Sequence, residues 1–221
     1  MEGDVAGVVV SVNVGARRLV EWHGRQVETG IWKSPVDGRV AVRGVNLDGD
    51  EQADLRVHGG ADKAVYAYAV EDYEWWASEL GRELEPGTFG ENLTVRGLDL
   101  GALVIGTQWR VGSTVLEVSQ PRLPCFKLGM RMGDAAFVEE FDLAGRFGAY
   151  LRIVEEGDIG AGDHIVVGES PPDARIAVRE LGHAEHRPFP ELVESVLADP
   201  YVPENWKHWA ERQQRRSQSG S

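Results

Sequence analysis

Residue types able to do chemistry gather in three short segments. The first, Arg56-Val57-His58-Gly59-Gly60-Ala61-Asp62-Lys63, places two adjacent glycines behind a histidine and between two cations. Such a pair lets a ligand approach the backbone and can aim N–H groups at an anion. A plain Gly-Gly turn with solvated charges accounts for the same residues. The second, Gly87-Thr88-Phe89-Gly90-Glu91-Asn92-Leu93, presents an asparagine amide, which donates and accepts and suits the edge of a heterocycle. Taken by itself it reads more simply as an Asn-containing turn leading into a strand at Leu93-Thr94-Val95. The third, Gln120-Pro121-Arg122-Leu123-Pro124-Cys125-Phe126-Lys127-Leu128-Gly129, carries the only cysteine. Its prolines stiffen the loop, as a metal ligand requires. Arg122 and Lys127 are close in sequence, and nearby cations favour thiolate, the form that ligates metals or attacks electrophiles. A buried structural cysteine is the competing reading, and spacing alone leaves the two open.

These cations stand out because the chain is acidic. Its 221 residues include 23 Lys and Arg against 36 Asp and Glu, a formal charge of -13 with histidines neutral. That balance argues against a nucleic acid polymer or an anionic membrane as the main partner, so an anionic ligand would need a local positive pocket. With 42% hydrophobic and 27% charged residues, the composition is that of a globular chain with a real core. The start, MEGDVAG, lacks the basic region of a signal peptide, and no apolar run reaches the roughly 20 residues of a membrane-spanning helix. One cysteine makes no internal disulfide and no iron–sulfur or thiolate zinc site by itself. A reduced, cytoplasmic location is the expectation.

The elements that must position these segments are mostly short strands. Val8–Val14, Arg39–Val42, Ala64–Tyr68, Tyr150–Val154 and His164–Val167 have strand composition. Gln108–Val111 and Thr114–Val118 flank Gly112-Ser113 as a hairpin with a glycine-first turn. A closed or nearly closed barrel is how so many short strands avoid exposed edges. Two helices interrupt them: Glu71–Leu80, ended by Gly81 with Trp75 and Trp76 as packing surface, and a second with Asp134 as N-cap running through Phe141. Three divisions follow: 1–168 as the barrel domain, 169–211 as a helical appendage beyond the Ser170-Pro171-Pro172-Asp173 linker, and 212–221 as a disordered tail. The appendage includes helices at Pro190–Leu197 and Asn205–Trp209. His183 and His186 share a helical face there, but two histidines without a third ligand read as solvated side chains.

Taken together, the three segments and their surroundings resemble the MOSC domain, the molybdenum cofactor sulfurase C-terminal type, and its YiiM-like branch. The matching stretches are Glu28–Pro35, Asp48-Gly49-Asp50, Gln52–Leu55 leading into His58-Gly59-Gly60, Ala64–Tyr68, Gly87–Leu93, Ser119–Cys125 and Gly160–Asp163, in order across residues 5–168. The resemblance implies a mainly β (α+β) fold: a MOSC-type β-barrel with peripheral helices and a short C-terminal helical appendage. It further implies a molybdenum cofactor (molybdenum-molybdopterin), with Cys125 as the metal ligand and catalytic anchor. Lys33, Arg56, His58, Gly59, Gly60 and Lys63 would serve the pterin and its phosphate, and Asn92 and Arg122 the pterin or the substrate opening.

The activity so implied is reduction of small N-hydroxylated compounds, such as hydroxylamino-purines, to amines. No G-x-G-x-x-G opens a helix after a strand, and cysteines for a cluster are lacking, so electrons must come from a separate flavin-type reductase. A cofactor carrier or sulfur-transfer protein working through Cys125 is the alternative, and a cofactor-free binding module a third. The oligomeric state, a homodimer included, stays open at this point.

Overall fold

The computed structural model describes residues 5–53, 59–184, 186 and 188–219. In chain order the elements begin with β1 (Val5–Val14), β2 (Arg18–Trp22), β3 (Arg25–Thr29), β4 (Ser34–Pro35), β5 (Arg39–Arg43) and β6 (Asn46–Leu47). A 3-10 turn (Ala61–Lys63), β7 (Val65–Ala69), α1 (Val70–Leu80), β8 (Leu93–Arg96), β9 (Gln108–Val111) and β10 (Thr114–Pro121) follow. The remainder comprises α2 (Phe126–Met132), α3 (Phe137–Ala144), β11 (Ala149–Glu155), β12 (Gly157–Gly160), β13 (His164–Val167), α4 (Val178–Gly182), α5 (Pro190–Ala198) and α6 (Glu204–Ser219).

Seven strands close a barrel in the order β13-β9-β10-β11-β7-β8-β1, and β1 pairs back onto β13. All these pairings are antiparallel except β7 with β8. A parallel pair needs a crossover, which α1 and the loop after it supply. β1 reaches around the barrel because it changes partner along its length: Val5–Val8 meet β13, Val8–Val12 meet β8, and Asn13–Val14 meet β4. Register shifts between Val5 and Gly7 and between Val9 and Ser11 let it bend. Apart from β4, which extends the barrel sheet at β1, the remaining strands form two accessory sheets, β12-β5-β6 and the hairpin β2-β3. The fold class read from the sequence is therefore the one observed.

Inward residues of the barrel, among them Val65, Leu93, Trp109, Leu116 and Leu151, form a buried apolar core. The same cluster continues into the C-terminal helices through Ile176, Leu181, Val196, Trp206 and Trp209. Polar stitches reinforce that junction: Gln120 Oε1 accepts from Trp206 Nε1 at 3.1 Å and Asn205 Nδ2 at 3.2 Å. A second cluster is aromatic and lies between α1, α3 and the barrel wall, with Trp76 stacked on Phe141 and Tyr68 packed on Phe89. Trp76 is buried there, while Trp75 is partly exposed beneath the Arg146 guanidinium.

Three helical expectations need correction. Asp134 does not cap α3; its Oδ1 accepts the Ala136 N–H at 2.8 Å in the turn before, and the helix starts at Phe137. An unexpected helix, α2, begins directly after Cys125, where two prolines and Gly129 hid it from propensity. The polar segment expected to be disordered continues α6 to Ser219, built from good helix formers with a Glu211–Arg215 pair one turn apart. Among the described residues no helix is long and apolar enough to cross a membrane.

Candidate functional site

At one end of the barrel the loops surround a cavity of about 670 Å³, counting its open mouth. Its wall draws on all three chemistry-bearing segments: Lys63 from the first, Asn92 from the second, and Arg122, Cys125 and Lys127 from the third. Lys33 joins them from the loop between β3 and β4. Arg56 and His58 lie outside the described residues. Gly59 and Gly60 precede the 3-10 turn and do not line the cavity. Gly60, at φ 95°, takes a conformation that favours glycine, and its N–H donates to Gln52 Oε1 at 3.3 Å.

The position of Lys63 follows from what holds its turn. Ser119 Oγ donates to the Asp62 carbonyl at 2.7 Å, and Arg152 Nε donates to the Asp62 carboxylate at 2.5 Å. Arg152 also bonds Glu117 at 2.9 Å and the Tyr201 carbonyl at 2.9 Å. The turn is thus tied to two barrel strands and to the helical appendage.

Lys33 is a largely enclosed cation paired with the buried Asp50. Burial pulls its ammonium below the ordinary lysine pKa, and Asp50 and then Glu91 pull it back. Asp50 is itself fixed, because its Oδ1 accepts the Gly15 N–H at 2.9 Å. Behind Lys33, the Gly87 backbone approaches so closely that a Cβ there would lie 2.6 Å from the Lys33 carbonyl oxygen. That contact, with φ at 86°, explains the glycine. Glu91, between the lining residues Gly90 and Asn92, is itself wholly buried. Its Oε1 accepts from Tyr73 Oη (2.6 Å), the Gly87 N–H (2.6 Å) and Thr94 Oγ1 (2.8 Å), while Oε2 has no partner. Burial raises its carboxyl pKa.

Asn92 has a role the sequence did not reveal. Its Oδ1 accepts the Tyr66 N–H at 3.1 Å and its Nδ2 donates to the Asn13 carbonyl at 3.3 Å. The amide therefore stitches β7 to β1 at the head of β8, and only its remaining donor and acceptor capacity is available to a ligand.

Arg122 and Cys125 leave the barrel on the loop after β10. Arg122 is 6% exposed, and its guanidinium lies 5.8 Å from the Tyr66 ring centroid and 5.7 Å from that of Phe141. Burial works against its charge, but Tyr66, Cys125 and Tyr150 more than offset that, and its pKa is raised. Its Nη1 is buried without a hydrogen-bond partner. Cys125, partly exposed, has extended backbone (φ −140°, ψ 170°) and accepts the Leu128 N–H on its carbonyl at 2.8 Å as α2 begins. Tyr66, Tyr150 and Asp50 are site residues that pattern reading missed, the tyrosines because in sequence they are ordinary strand residues.

The donor set limits the chemistry. Among the described residues no three His, Cys, Asp or Glu side chains are grouped to hold a metal ion. The cavity instead offers one soft sulfur, one buried cation with an unpartnered N–H, and three lysines. Such a lining suits an anionic group that brings most of a metal's ligands with it and takes one more from the protein.

The MOSC domain model matches residues 54–166. YflK of Bacillus subtilis is 37% identical over 201 residues, 90% of each chain. The chain belongs to the MOSC domain family. The crystal structure of YiiM from Geobacillus stearothermophilus superposes with a TM-score of 0.76 at 28% identity, covering 93% of this chain and 98% of that one. A protein from Gibberella moniliformis named a reductase is 33% identical over 169 residues, 75% of this chain but 30% of its own length. Lys63, Asn92, Arg122 and Cys125 fall inside the MOSC match, whereas Lys33 and its partner Asp50 precede it. The cavity is thus completed by loops that precede the matched region.

Proposed function

We propose that this chain is a molybdenum cofactor-dependent reductase of small N-hydroxylated compounds, supplied with electrons by a separate protein. The observation that carries the reading is the buried Arg122 Nη1, without a partner, in the cavity that also holds Cys125. A desolvated cation with an unmet donor is costly unless a ligand meets it. The residues fit a metal-bearing, sulfur-rich and anionic cofactor. Cys125 would supply the protein's sulfur, Arg122 an N–H, and Lys33, Lys63 and Lys127 positive charge. When bound, that cofactor would supply two-electron oxygen-atom chemistry at the metal, which no side chain here can perform. The rest of the cavity binds and orients: Asp50 fixes Lys33, and the Asp62 turn fixes Lys63. The oxidoreductase assignment draws further support from family membership and from the reductase-named relative.

Elemental analysis of wild type and Cys125→Ala, expressed in a host that makes the cofactor, tests the anchor. Close to one molybdenum per wild-type chain and almost none in the variant is the expected result. Absence of the metal from both would sink the reading. Turnover of a hydroxylamino-purine with reduced methyl viologen tests the reaction. A loaded protein that performs no turnover but delivers cofactor to an acceptor apoprotein would favour the carrier.

A further inference from the structure

Beside the cavity, the cations Arg18 and Arg131 share one indole, and Lys127 on the helix that Cys125 opens reaches from them to the cavity lining. α2 contains Lys127 and Arg131, four residues apart and so on one face, and no acid. Arg131 lies 5.7 Å from the Trp32 ring centroid, and Arg18 of the exposed hairpin lies 5.0 Å from the same ring while donating to the Trp32 carbonyl at 3.2 Å. Arg17 next door is engaged by Glu28 and Glu51. Among the described residues Arg18, Lys127 and Arg131 carry no salt bridge to a carboxylate, and Arg131 Nε is buried without a partner. Two guanidiniums on one indole repel each other, and burial together with Arg18 draws the Arg131 pKa below its ordinary value. Phe126, the first residue of α2, is 52% exposed beside them in sequence.

In a chain of charge -13, an uncompensated basic patch with an apolar residue calls for an acidic partner. Its position indicates which. Arg18, Trp32 and Arg131 lie outside the cavity lining, so a substrate seated against Cys125 would not be held by them. Yet the patch includes the helix whose N-cap is Cys125. We infer that the Arg18–Trp32–Arg131 cluster, with Phe126 and Lys127, is the docking surface for an acidic flavodoxin-type electron donor. This rests on the reductase reading above. Reduction of R–NH–OH to R–NH2 and water consumes two electrons and two protons. Two donor hydroquinones would each give one electron and be left as semiquinones, with the protons drawn from solvent.

The test measures binding of oxidised flavodoxin to the cofactor-loaded chain by calorimetry, and turnover driven by flavodoxin hydroquinone or by methyl viologen. Wild type should bind at low ionic strength and lose most of that affinity by about 0.3 M salt, where screening is short-ranged. Arg18→Glu, on an exposed strand, should weaken binding by about tenfold and slow flavodoxin-driven turnover in step, with Arg131→Gln acting in the same direction. Methyl viologen-driven turnover should stay within about twofold for Arg18→Glu, because this charge acts on the encounter. No binding to wild type, or equal binding by wild type and Arg18→Glu, would overturn the inference. So would a higher KM for a hydroxylated nucleotide in Arg18→Glu under methyl viologen, which would assign the patch to substrate phosphate. If wild type fails with methyl viologen, the reductase reading falls, while the binding comparison still decides whether the patch recognises the donor.

Discussion

The guanidinium of Arg122 lies 5.8 Å from the centroid of the Tyr66 ring and keeps Nη1 without a partner. The pair places a fixed positive charge in an aromatic setting at the base of the Cys125 loop, before any ligand arrives. Such an arrangement is preorganised for an anion and costly without one.

Removing that charge should therefore separate stability from binding. Arg122→Met is expected to leave the cofactor-free protein as stable as wild type or more so, by about 1–3 kcal/mol, since a buried cation is replaced by an apolar side chain. Molybdenum retention should fall in the same variant. Chemical denaturation of the apo form alongside metal analysis of the loaded form measures both.

Lys33 and Asp50 should behave as a coupled pair. Lys33→Met leaves a buried carboxylate without its counter-ion and should cost about 3–5 kcal/mol, whereas Lys33→Met with Asp50→Asn should recover part of that loss. A double-mutant cycle in urea reads the coupling directly. Additive effects would mean that the contact is energetically idle.

Glu91 gives a pH signature with a defined sign. Burial raises its folded pKa above the ordinary 4.5, so the folded chain binds this proton more tightly than the unfolded chain does. The stability it contributes is full below the unfolded value and is lost as pH rises through the folded one. Glu91→Gln keeps an oxygen for the three donors that Oε1 serves and cannot ionise. Its stability relative to wild type should rise from pH 4 upward until the wild-type carboxyl is ionised, then level off. A flat difference between pH 4 and pH 8 would count against the buried-acid description.

Asn92→Ala should act on the fold as well as on ligand binding. It removes the acceptor for the Tyr66 N–H and the donor to the Asn13 carbonyl, two buried backbone groups. A loss of about 2–4 kcal/mol follows from two unmet partners at about 1–2 kcal/mol each. Thermal unfolding without cofactor would detect it, and an unchanged midpoint would return Asn92 to a purely ligand-facing role.

What the sequence disclosed and what it withheld divide along physical lines. β-branched runs such as Val8–Val14 and His164–Val167 were readable as strands because burial demands their side chains. The three segments stood out because glycine, charge and an unusual polar residue coincide in each, and residues from all three line one cavity. Residues of α2 escaped because that helix begins after two prolines and is only 7 residues long, too short for periodicity to register. Asn92 looked like a ligand contact because an amide suits a heterocycle and a backbone equally well; only the register of β1, β7 and β8 shows which groups it meets. Asp50 and Lys33 are 17 positions apart, and no local pattern announces a pair of that separation.

The closure of β1 on β13 has an evolutionary reach. Val5 is opposite Val166, so the strand that enters the barrel and the strand that leaves it are neighbours. A unit whose two ends adjoin can be spliced into a larger polypeptide as a cassette, with little demand on the joining segments. The Gibberella moniliformis relative, in which the matching region spans 30% of a longer chain, is what such modularity permits. Where such a barrel is joined to another module in one chain, an effective concentration set by the linker replaces diffusional encounter between the two.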